Sequence, residues 1–376
     1  MSPINPGSTI GIVGSGQLGR MLAAAAQRMG YRVAVYSPES EAPASALADY
    51  NYVAPYESRE DLQDFAQKSD VVTFEFENIP RTALDLLSAA VPVRPSPEAL
   101  YTFQHRLREK LFLKSLGLAL PRFAEVANRD QLLAALKEIG APAVLKTAGF
   151  GYDGKGQYKI KSLQDADSLK EIWNGQTYVL EEFVDFEREV SMVAARGLKG
   201  EFAHYGLIEN HHTSHILDYS LAGAHLHEQA AKQAAKMTRA IFEALNVCGV
   251  MCVEFFMRKD GTLLVNEVAP RTHNSGHLTI EACVTSQFEQ QLRAVCGLPM
   301  GSTSYVSSAA MANLLGDLWE PQPPRWDRLL EHNVALHLYG KSAARKGRKM
   351  GHITALAGDP HSAREAVISA RSALHP

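Results

Sequence analysis

Cysteine is scarce in this sequence, and long uninterrupted apolar runs are missing. The chain has 376 residues and four cysteines, Cys248, Cys252, Cys283 and Cys296. No two of them form a CxxC pair, so the pattern predicts neither a disulfide framework nor a thiolate zinc site. We expect reduced and mostly buried thiols.

A strong charge of either sign is also missing. The net charge is −3, so no overall attraction draws the protein to nucleic acid or membrane, although a local basic patch could hold an anionic metabolite. Proline, glycine or charge interrupts every candidate for the ~20 apolar residues of a membrane helix. The first seven residues carry no basic residue, unlike a signal peptide. We expect a cytoplasmic protein.

The length predicts two or three domains, because one hydrophobic core rarely serves so long a chain. Up to about residue 105, short apolar strands alternate with helical segments, which predicts an α/β fold with a parallel sheet covered on both faces. A helical stretch over 100–116 follows three prolines, Pro92, Pro95 and Pro97. We expect the first domain boundary there.

The next segments predict a small α/β unit and then a larger domain with an antiparallel-rich sheet. In the small unit, to about residue 185, we expect strands over 143–146, 157–160 and 178–182, and helices over 129–139 and 163–172. In the larger domain we expect strands over 189–195, 202–208, 250–256 and 263–268, and a helix over 227–245. The tail predicts strands near 309, 334 and 353 and a helix over 362–374.

The first motif is a glycine turn between a strand and a helix, formed by Gly14, Gly16 and Gly19. This GxGxxG context suits a dinucleotide, but Tyr36 stands where the second strand should end in an acidic residue. Three interpretations stay open: a nicotinamide site, a tight turn for close helix packing, and a site for a different phosphorylated molecule.

The second motif is Lys146 at a strand end, followed by a glycine-rich loop over 149–156 that contains Lys155. Glycine frees backbone N–H groups to surround phosphates, and a preceding ammonium can neutralise them. The spacing is not that of a P-loop. A flexible hairpin tip is the alternative.

The third motif is a strand that ends in adjacent carboxylates, Glu181 and Glu182. The two side chains project to opposite faces, so one of them can point into a given cleft. A nucleotide contact and a solvated strand end are both open.

The fourth motif is a predicted hairpin that turns at Asp260 and brings Glu254 opposite residue 266 or 267. Glu267 and Asn266 would then share a patch with Glu254. Two buried like charges require cations, and oxygen ligands favour Mg²⁺. Pairing of each glutamate with an arginine is the alternative.

Three weaker features remain. The polar stretch 270–277 precedes a predicted helix near Leu278 and could hold an anion. A run of five cations between Lys341 and Lys349 is either a solvated loop or a phosphate-binding loop. His211, His212 and His215 could suggest zinc, but the strand-like surroundings argue against it.

Taken in order, these motifs resemble the ATP-grasp superfamily and, within it, closely resemble the N5-carboxyaminoimidazole ribonucleotide synthase family. The resemblance spans nearly the whole chain. It is carried by GSGQLGRM at 14–21, TFEFEN at 73–78, GYDGKGQ at 151–157, EEFV at 181–184 and NEVAPRTHNSGH at 266–277.

The resemblance implies an ATP-grasp fold with four parts: a Rossmann-like domain over 1–105, a central lid over 106–185, a catalytic domain over 186–300 and an extension over 301–376. It implies a homodimer. The implied ATP contacts are Arg106, Lys146, Gly151, Tyr152, Asp153, Gly154, Lys155, Gly156, Gln157, Glu181, Glu182, Phe183, Val184, Glu189, His212, Asn266 and Glu267.

The implied reaction is ATP-dependent carboxylation of 5-aminoimidazole ribonucleotide with bicarbonate, through carboxyphosphate, in purine synthesis. Glu254 and Glu267 match the family's Mg²⁺ ligands. The residues implied in catalysis are Lys146, Tyr152, Asp153, Lys155 and Arg271. The implied substrate contacts are Gly16, Gln17, Leu18, Glu75, His273, Asn274, Ser275, Lys341 and Arg348, with Tyr152, Asp153, Lys155 and Arg271 shared between the two sets.

One departure from the family pattern is visible, because Ala148 and Phe150 stand where the family often has arginine and glycine. This puts lid flexibility in question. Another carboxylate–amine ligase on the same scaffold, for instance one that uses formate, is the alternative enzyme. A nicotinamide-dependent oxidoreductase and a non-catalytic nucleotide sensor are alternatives of other classes.

Overall fold

The computed structural model describes residues 2–149, 156–169, 172–173, 175–223 and 228–375. The predicted α/β architecture is confirmed, and the strands form three separate sheets. Among these residues no helix combines the length and the apolar character that crossing a bilayer requires. All four cysteines are buried and free, as predicted.

The N-terminal sheet is parallel, as predicted, with the strand order β3-β2-β1-β4. Helices cover both faces because alternate apolar side chains point to opposite sides. The elements are β1 (Thr9–Val13), α1 (Gln17–Arg28), β2 (Arg32–Ser37), β3 (Tyr50–Val53), α2 (Arg59–Lys68), β4 (Val71–Phe74) and α3 (Arg81–Ser88).

The helical stretch predicted over 100–116 is two helices, α4 (Pro97–Phe103) and α5 (Arg106–Ser115). Ser96 caps α4, where its hydroxyl accepts from the amide of Ala99. His105 separates the helices, since its ring accepts from the amide of Arg108 at the start of α5. The break lets α5 turn toward the central sheet, where the Arg106 amide donates to the Ala148 carbonyl.

The central sheet has four antiparallel strands in the order β5-β8-β6-β7. The helix predicted over 163–172 is a single turn within the described residues, and the Asp165 carboxylate accepts the amides of Lys161 and Ser162 beside it. The elements are β5 (Phe123–Val126), α6 (Arg129–Ile139), β6 (Ala143–Thr147), β7 (Gln157–Ile160), α7 (Asp165–Ser168) and β8 (Tyr178–Glu182).

The third sheet has nine antiparallel strands, as the prediction of an antiparallel-rich domain requires. The tail strands belong to this same sheet and continue it beyond β12. Its strands are β9 (Arg188–Arg196), β10 (Phe202–His204), β11 (Ile208–Thr213), β12 (Ile216–Ala222), β13 (Gly249–Met257), β14 (Leu263–Ala269), β15 (Ser308–Leu315), β16 (Ala335–Leu338) and β17 (Lys349–Ala357).

The single strand predicted over 202–208 is wrong. β10 ends at His204, and the chain passes through Gly206 at a φ of +72° before β11 begins. That left-handed conformation interrupts the extended run, and β11 then continues along the same edge of β9, since β13 occupies the other edge.

The remaining helices are α8 (Glu228–Ala244), α9 (Thr279–Ala282), α10 (Gln287–Cys296), α11 (Trp326–Leu329) and α12 (Pro360–Ser372). Helix α10 was missing from the predictions. Its residues Phe288, Leu292 and Val295 pack with α1 and β1, so a helix that follows β14 in the chain covers the N-terminal sheet.

Candidate active site

A cluster of buried cations surrounds Glu181, at the point where β8 faces α5. The Glu181 Oε2 atom lies 3.1 Å from the Lys146 ammonium and 3.2 Å from that of Lys110, and Arg106 Nη1 lies 3.9 Å from Oε1. Burial alone would raise the pKa of Glu181, but the three cations lower it to about 2. Burial lowers the pKa of Lys146. We call Arg106, Lys110, Lys146 and Glu181 the cation cluster.

Several polar atoms at the cation cluster lack a hydrogen-bond partner among the described residues. They are Nε of Arg106, Oε1 of Glu181 and Oδ1 of Asn266, and all three atoms are buried. Buried polar groups are normally paired, so a group of unpaired atoms indicates a place that a ligand completes. The predicted ATP contacts Arg106, Lys146, Glu181 and Asn266 meet here.

Sequence reasoning missed Lys110, which is completely buried. Its ammonium donates to the Asn266 carbonyl at 3.0 Å in addition to contacting Glu181. The available signal was its spacing from Arg106, because residues four apart share one helix face.

The predicted hairpin of carboxylates is confirmed. Glu254 on β13 stands directly opposite Glu267 on β14. Directly opposed residues share one face of a sheet, so the two carboxylates lie side by side. The side chain of Glu267 is 44% exposed and lies 3.7 Å from Arg106 Nη1. Pairing with an arginine, the alternative to a metal site, is therefore observed for Glu267. The partner of Glu254 is a histidine.

His273 is the partner of Glu254, with 3.0 Å between Nε2 and Oε1. Burial alone would lower the pKa of His273, but the neighbouring Cys252 and Glu254 raise it. A second pair of the same kind lies close by, where His212 Nδ1 stands 2.8 Å from Glu189 Oε2. Here too burial opposes the shift, and the glutamate raises the pKa of the imidazole.

A buried network of hydroxyl and amide groups lies behind His273. Ser275 Oγ is 2.9 Å from His273 Nδ1 and 2.8 Å from Ser191 Oγ. Asn210 donates to Ser191, and Ser220 donates to Asn210. This network was not predicted beyond Ser275, because its members come from β9, β11 and β12 and carry no local motif.

The glycine turn is occupied by a side chain of the protein itself. Glu75 accepts from the amide of Gly16 at 2.8 Å and from that of Gly19 at 3.2 Å. A Cβ at Gly14 would lie 2.6 Å from Glu75 Cγ. Burial raises the pKa of Glu75, and the two amides oppose that shift. Glu75 therefore holds the place that a phosphate takes in a dinucleotide site, which argues against the nicotinamide interpretation.

Two of the predicted ribonucleotide contacts, Lys341 and Arg271, bond residues of the N-terminal part of the chain. Lys341 donates to Gln17 Oε1 at 2.5 Å, which joins the basic run to the start of α1. Arg348 donates to the Ala343 carbonyl at 2.8 Å. Arg271 pairs with Glu77 at 2.5 Å, and its buried Nε atom has no hydrogen-bond partner among the described residues.

Asn274 makes bonds within the fold. Both ends of its side-chain amide bond to Asn313, at 3.1 and 2.8 Å. Its contact with the substrate remains a prediction, as does that of Leu18, which lies on α1 and is buried in the core.

The ends of the central sheet hold further predicted ATP contacts. Glu182 projects away from Glu181, as predicted, and pairs with Arg122 at 2.7 Å. Phe183 is 41% exposed, and Val184 is buried. Gln157 pairs with Lys146 in the β6–β7 register.

Gly156 is held by a close approach to β6. It has a φ of +71°, and a Cβ there would lie 2.6 Å from Thr147 Oγ1. The predicted site residues Gly151, Tyr152, Asp153, Gly154 and Lys155, and the departure at Phe150, lie outside the described residues.

The histidines at 211, 212 and 215 do not form a zinc site. His211 pairs with Glu209 at 2.7 Å, and within the described ranges no group of three or more potential ligands could hold a metal ion. The hairpin offers two carboxylates, Glu254 and Glu267, and therefore does not count as a group of three ligands.

Comparison with known proteins agrees with this geometry. Three family models match: the ribonucleotide synthetase preATP-grasp domain over 7–104, the ATP-grasp domain over 111–288 and the phosphoribosylaminoimidazole carboxylase C-terminal domain over 309–366. The N5-carboxyaminoimidazole ribonucleotide synthase of Brucella melitensis is 46% identical, with 93% of this chain and 97% of that protein covered.

Two solved structures are similar over nearly their whole lengths. The N5-carboxyaminoimidazole synthetase of Staphylococcus aureus with ADP is 35% identical, covers 99% of both chains and has a TM-score of 0.92. The synthase of Aspergillus clavatus with ADP and 5-aminoimidazole ribonucleotide is 28% identical, covers 97% of this chain and 98% of its own, and has a TM-score of 0.88.

The three sheets, the cation cluster and the opposed carboxylates define an ATP-grasp enzyme, which is an ATP-dependent ligase. Within that class, the chain belongs to the N5-carboxyaminoimidazole ribonucleotide synthase family.

Proposed function

We propose that this protein carboxylates the amine of 5-aminoimidazole ribonucleotide, with ATP and bicarbonate as co-substrates, and releases ADP and phosphate in purine synthesis. The observation that carries the proposal is the pairing of Glu254 with Glu267 beside the cation cluster. Phosphoryl transfer needs both kinds of charge, since cations stabilise the transferring group and carboxylates hold the divalent ion.

The triphosphate of ATP would lie along the cation cluster. Lys146 and Arg106 supply positive charge there, and the unpaired Nε of Arg106 offers a further donor. Two ammonium groups and a guanidinium around one carboxylate leave a net positive charge, which favours an anionic ligand.

Mg²⁺ would be held by Glu254 and Glu267. These residues fit the ion, since they offer oxygen ligands on one face of a sheet, and protein sites usually hold Mg²⁺ with one or two carboxylates plus substrate phosphates. When bound, the ion neutralises charge on the phosphates.

The phosphate of the ribonucleotide would contact Lys341 and Arg348. Gln17 would border it, since the Lys341 ammonium already reaches this residue. Arg271 would contact the reacting groups, and its guanidinium is held by Glu77.

Bicarbonate is a poor electrophile, so phosphoryl transfer from ATP to one of its oxygens comes first and gives carboxyphosphate and ADP. Lys146 and Arg106 stabilise the negative charge that develops on the transferring group. The amine nitrogen of the ribonucleotide then attacks the carboxyl carbon, or CO₂ released from it; the bond from that carbon to the phosphate oxygen breaks, and the departing phosphate takes up the proton that the amine loses. Water would destroy this intermediate, so the site must exclude water during turnover.

Release of ADP, measured with and without 5-aminoimidazole ribonucleotide, in bicarbonate-replete and bicarbonate-depleted buffer, tests the proposal. We expect rapid ADP release when both co-substrates are present. ADP release that ignores bicarbonate would overturn the proposal, and release that requires formate instead would support a different carboxylate–amine ligase. NADH quenching without ATP turnover would support an oxidoreductase.

We also propose a homodimer, which the family resemblance implies, and a cytoplasmic location. Sedimentation of the purified protein tests the dimer, and a monomer at micromolar concentration would overturn it.

A further inference from the structure

Strand β14 carries Glu267 along the outer edge of the nine-stranded sheet. It pairs with β13 on one side, and the sheet order ends at β14 on the other. The register passes from the pair Glu254–Glu267 directly to Phe255–Val265, so Asn266 is an extra residue in a β-bulge. Bulges redirect side chains, and edge strands leave backbone groups open, so something must fix this stretch of chain.

Helix α5 supplies the missing partners on both sides of Glu267. The Lys110 ammonium donates to the Asn266 carbonyl at 3.0 Å, and Glu109 Oε1 accepts from the Val268 amide at 2.6 Å. Further along, the Val265 amide donates to the Ala119 carbonyl at 2.9 Å. The residues before and after Glu267 are therefore each held by a side chain of α5.

Both side chains are buried, although charged residues are rarely buried without a reason. Lys110 also contacts Glu181, so one ammonium joins the central sheet to the edge of the large sheet. Simple packing of α5 on β14 would need apolar side chains at these two positions. Two polar side chains that bond backbone atoms on either side of one residue hold that part of the strand in one register and one orientation.

We propose that Glu109 and Lys110 are positioning residues, which hold the bulge at Asn266 so that the Glu267 carboxylate faces the divalent ion beside Glu254. This inference rests on the proposed function, since it takes Glu267 to be a Mg²⁺ ligand. Groups behind a metal ligand orient it, and their loss commonly weakens metal binding by about 10- to 100-fold.

The test is titration calorimetry of ADP binding to the full chain, first in EDTA and then with saturating Mg²⁺. The quantity compared is the factor by which Mg²⁺ tightens ADP binding. Glu109→Leu removes the acceptor for the Val268 amide, and Lys110→Met removes the donor to Asn266 with little change in length. Glu109→Gln keeps an acceptor oxygen. Lys114→Met is the matched control for Lys110→Met, because Lys114 lies one turn further along α5 and is exposed.

We expect Glu109→Leu and Lys110→Met to reduce the Mg²⁺ effect by about tenfold. Glu109→Gln and Lys114→Met should keep the wild-type effect. In Glu109→Leu the affinity for ADP in EDTA should stay within about twofold of wild type, because Glu109 is proposed to act only through the metal ligand. If the substitution merely destabilised β14, ADP binding would weaken both in EDTA and with Mg²⁺. Glu109→Leu is the sharper variant, since Lys110 also contacts Glu181.

An unchanged Mg²⁺ effect in both loss variants would overturn the inference, and so would equal losses in Glu109→Gln and Glu109→Leu. If Mg²⁺ does not tighten ADP binding in the wild-type protein, the proposed metal role of Glu267 fails, and the inference fails with it. Wild-type behaviour therefore separates the two failures.

Discussion

Glu75 lies inside the glycine turn of the N-terminal domain, where its carboxylate accepts from the amide of Gly16 at 2.8 Å. The two residues are 59 positions apart in the sequence. A turn whose pattern suggests a dinucleotide site is thus closed by a carboxylate from the end of β4. In this fold the glycines allow the turn and α1 to approach Glu75 closely, which agrees with the interpretation of the motif as a tight turn for close helix packing.

Replacement of Glu75 tests this relationship. Glu75→Gln keeps the shape but offers one acceptor oxygen for two amides, so one amide loses its partner. The free energy of unfolding should fall by about 1–3 kcal/mol, which is the usual cost of an unpaired buried group. Urea denaturation measures it. Glu39→Gln, at an exposed site nearby, should leave the stability unchanged.

Gly16→Ala isolates the close approach between the two residues. The φ of Gly16 is −74°, which alanine adopts freely, so backbone strain does not contribute. The added Cβ would lie 2.8 Å from Glu75 Oε1, and we expect a lower urea midpoint as the carboxylate is displaced. A midpoint equal to wild type would show that the turn does not need the carboxylate in its observed position.

Protonation of Glu181 should destabilise the protein in acid. Burial opposes ionisation, but Lys110, Lys146 and Arg106 lower its folded-state pKa to about 2, from 4.5. A depressed carboxyl pKa contributes stability that is fully present above pH 4.5 and is lost as the pH falls toward 2. The contribution is on the order of 3 kcal/mol.

The measurement is the unfolding free energy of wild type and Glu181→Gln between pH 7 and pH 2.5. The difference between them should be largest near neutrality and should shrink in acid. Glu182→Gln, on the opposite face and paired with Arg122, is the matched variant for comparison. A constant gap for Glu181→Gln would contradict the charge argument.

Removal of the Glu267 carboxylate should abolish ADP release. Glu267→Ala leaves Glu254 as the single carboxylate on the shared face, and the loss of one of the two proposed ligands should weaken Mg²⁺ binding enough to stop turnover. ADP release is measured with the ribonucleotide and bicarbonate present, and Glu243→Ala on the exposed side of α8 is the control. Near-wild-type ADP release in Glu267→Ala would end the metal assignment.

Loss of the basic contacts should raise the KM for the ribonucleotide. Lys341→Ala and Arg348→Ala each remove one cation from the proposed phosphate contact, and we expect a KM raised by about tenfold with kcat little changed. Lys346→Ala, an exposed member of the same run, should match wild type. If the KM for ATP rises instead, the phosphate contact is wrong.

The carboxylate hairpin was predictable from the sequence because its information is local. A turn at Asp260 and two alternating apolar strands determine which residues stand opposite each other, and Glu254 and Glu267 are opposed as expected. The N-terminal parallel sheet was predictable for a similar reason, since each strand and helix carries its own periodicity. Family motifs added the candidate ligands.

Tertiary structure decided which charged groups meet. Lys110 reaches the Asn266 carbonyl across 156 positions of sequence, and Glu75 reaches the glycine turn across 59. Neither contact produces a periodic pattern in the sequence. A hydrogen bond between a side chain and a distant backbone atom forms only when the sheets and helices that carry the two groups pack together. The sequence by itself therefore determined the N-terminal parallel sheet, the hairpin and the family, whereas only packing decided how the cation cluster, the bulge and the filled glycine turn are held in place.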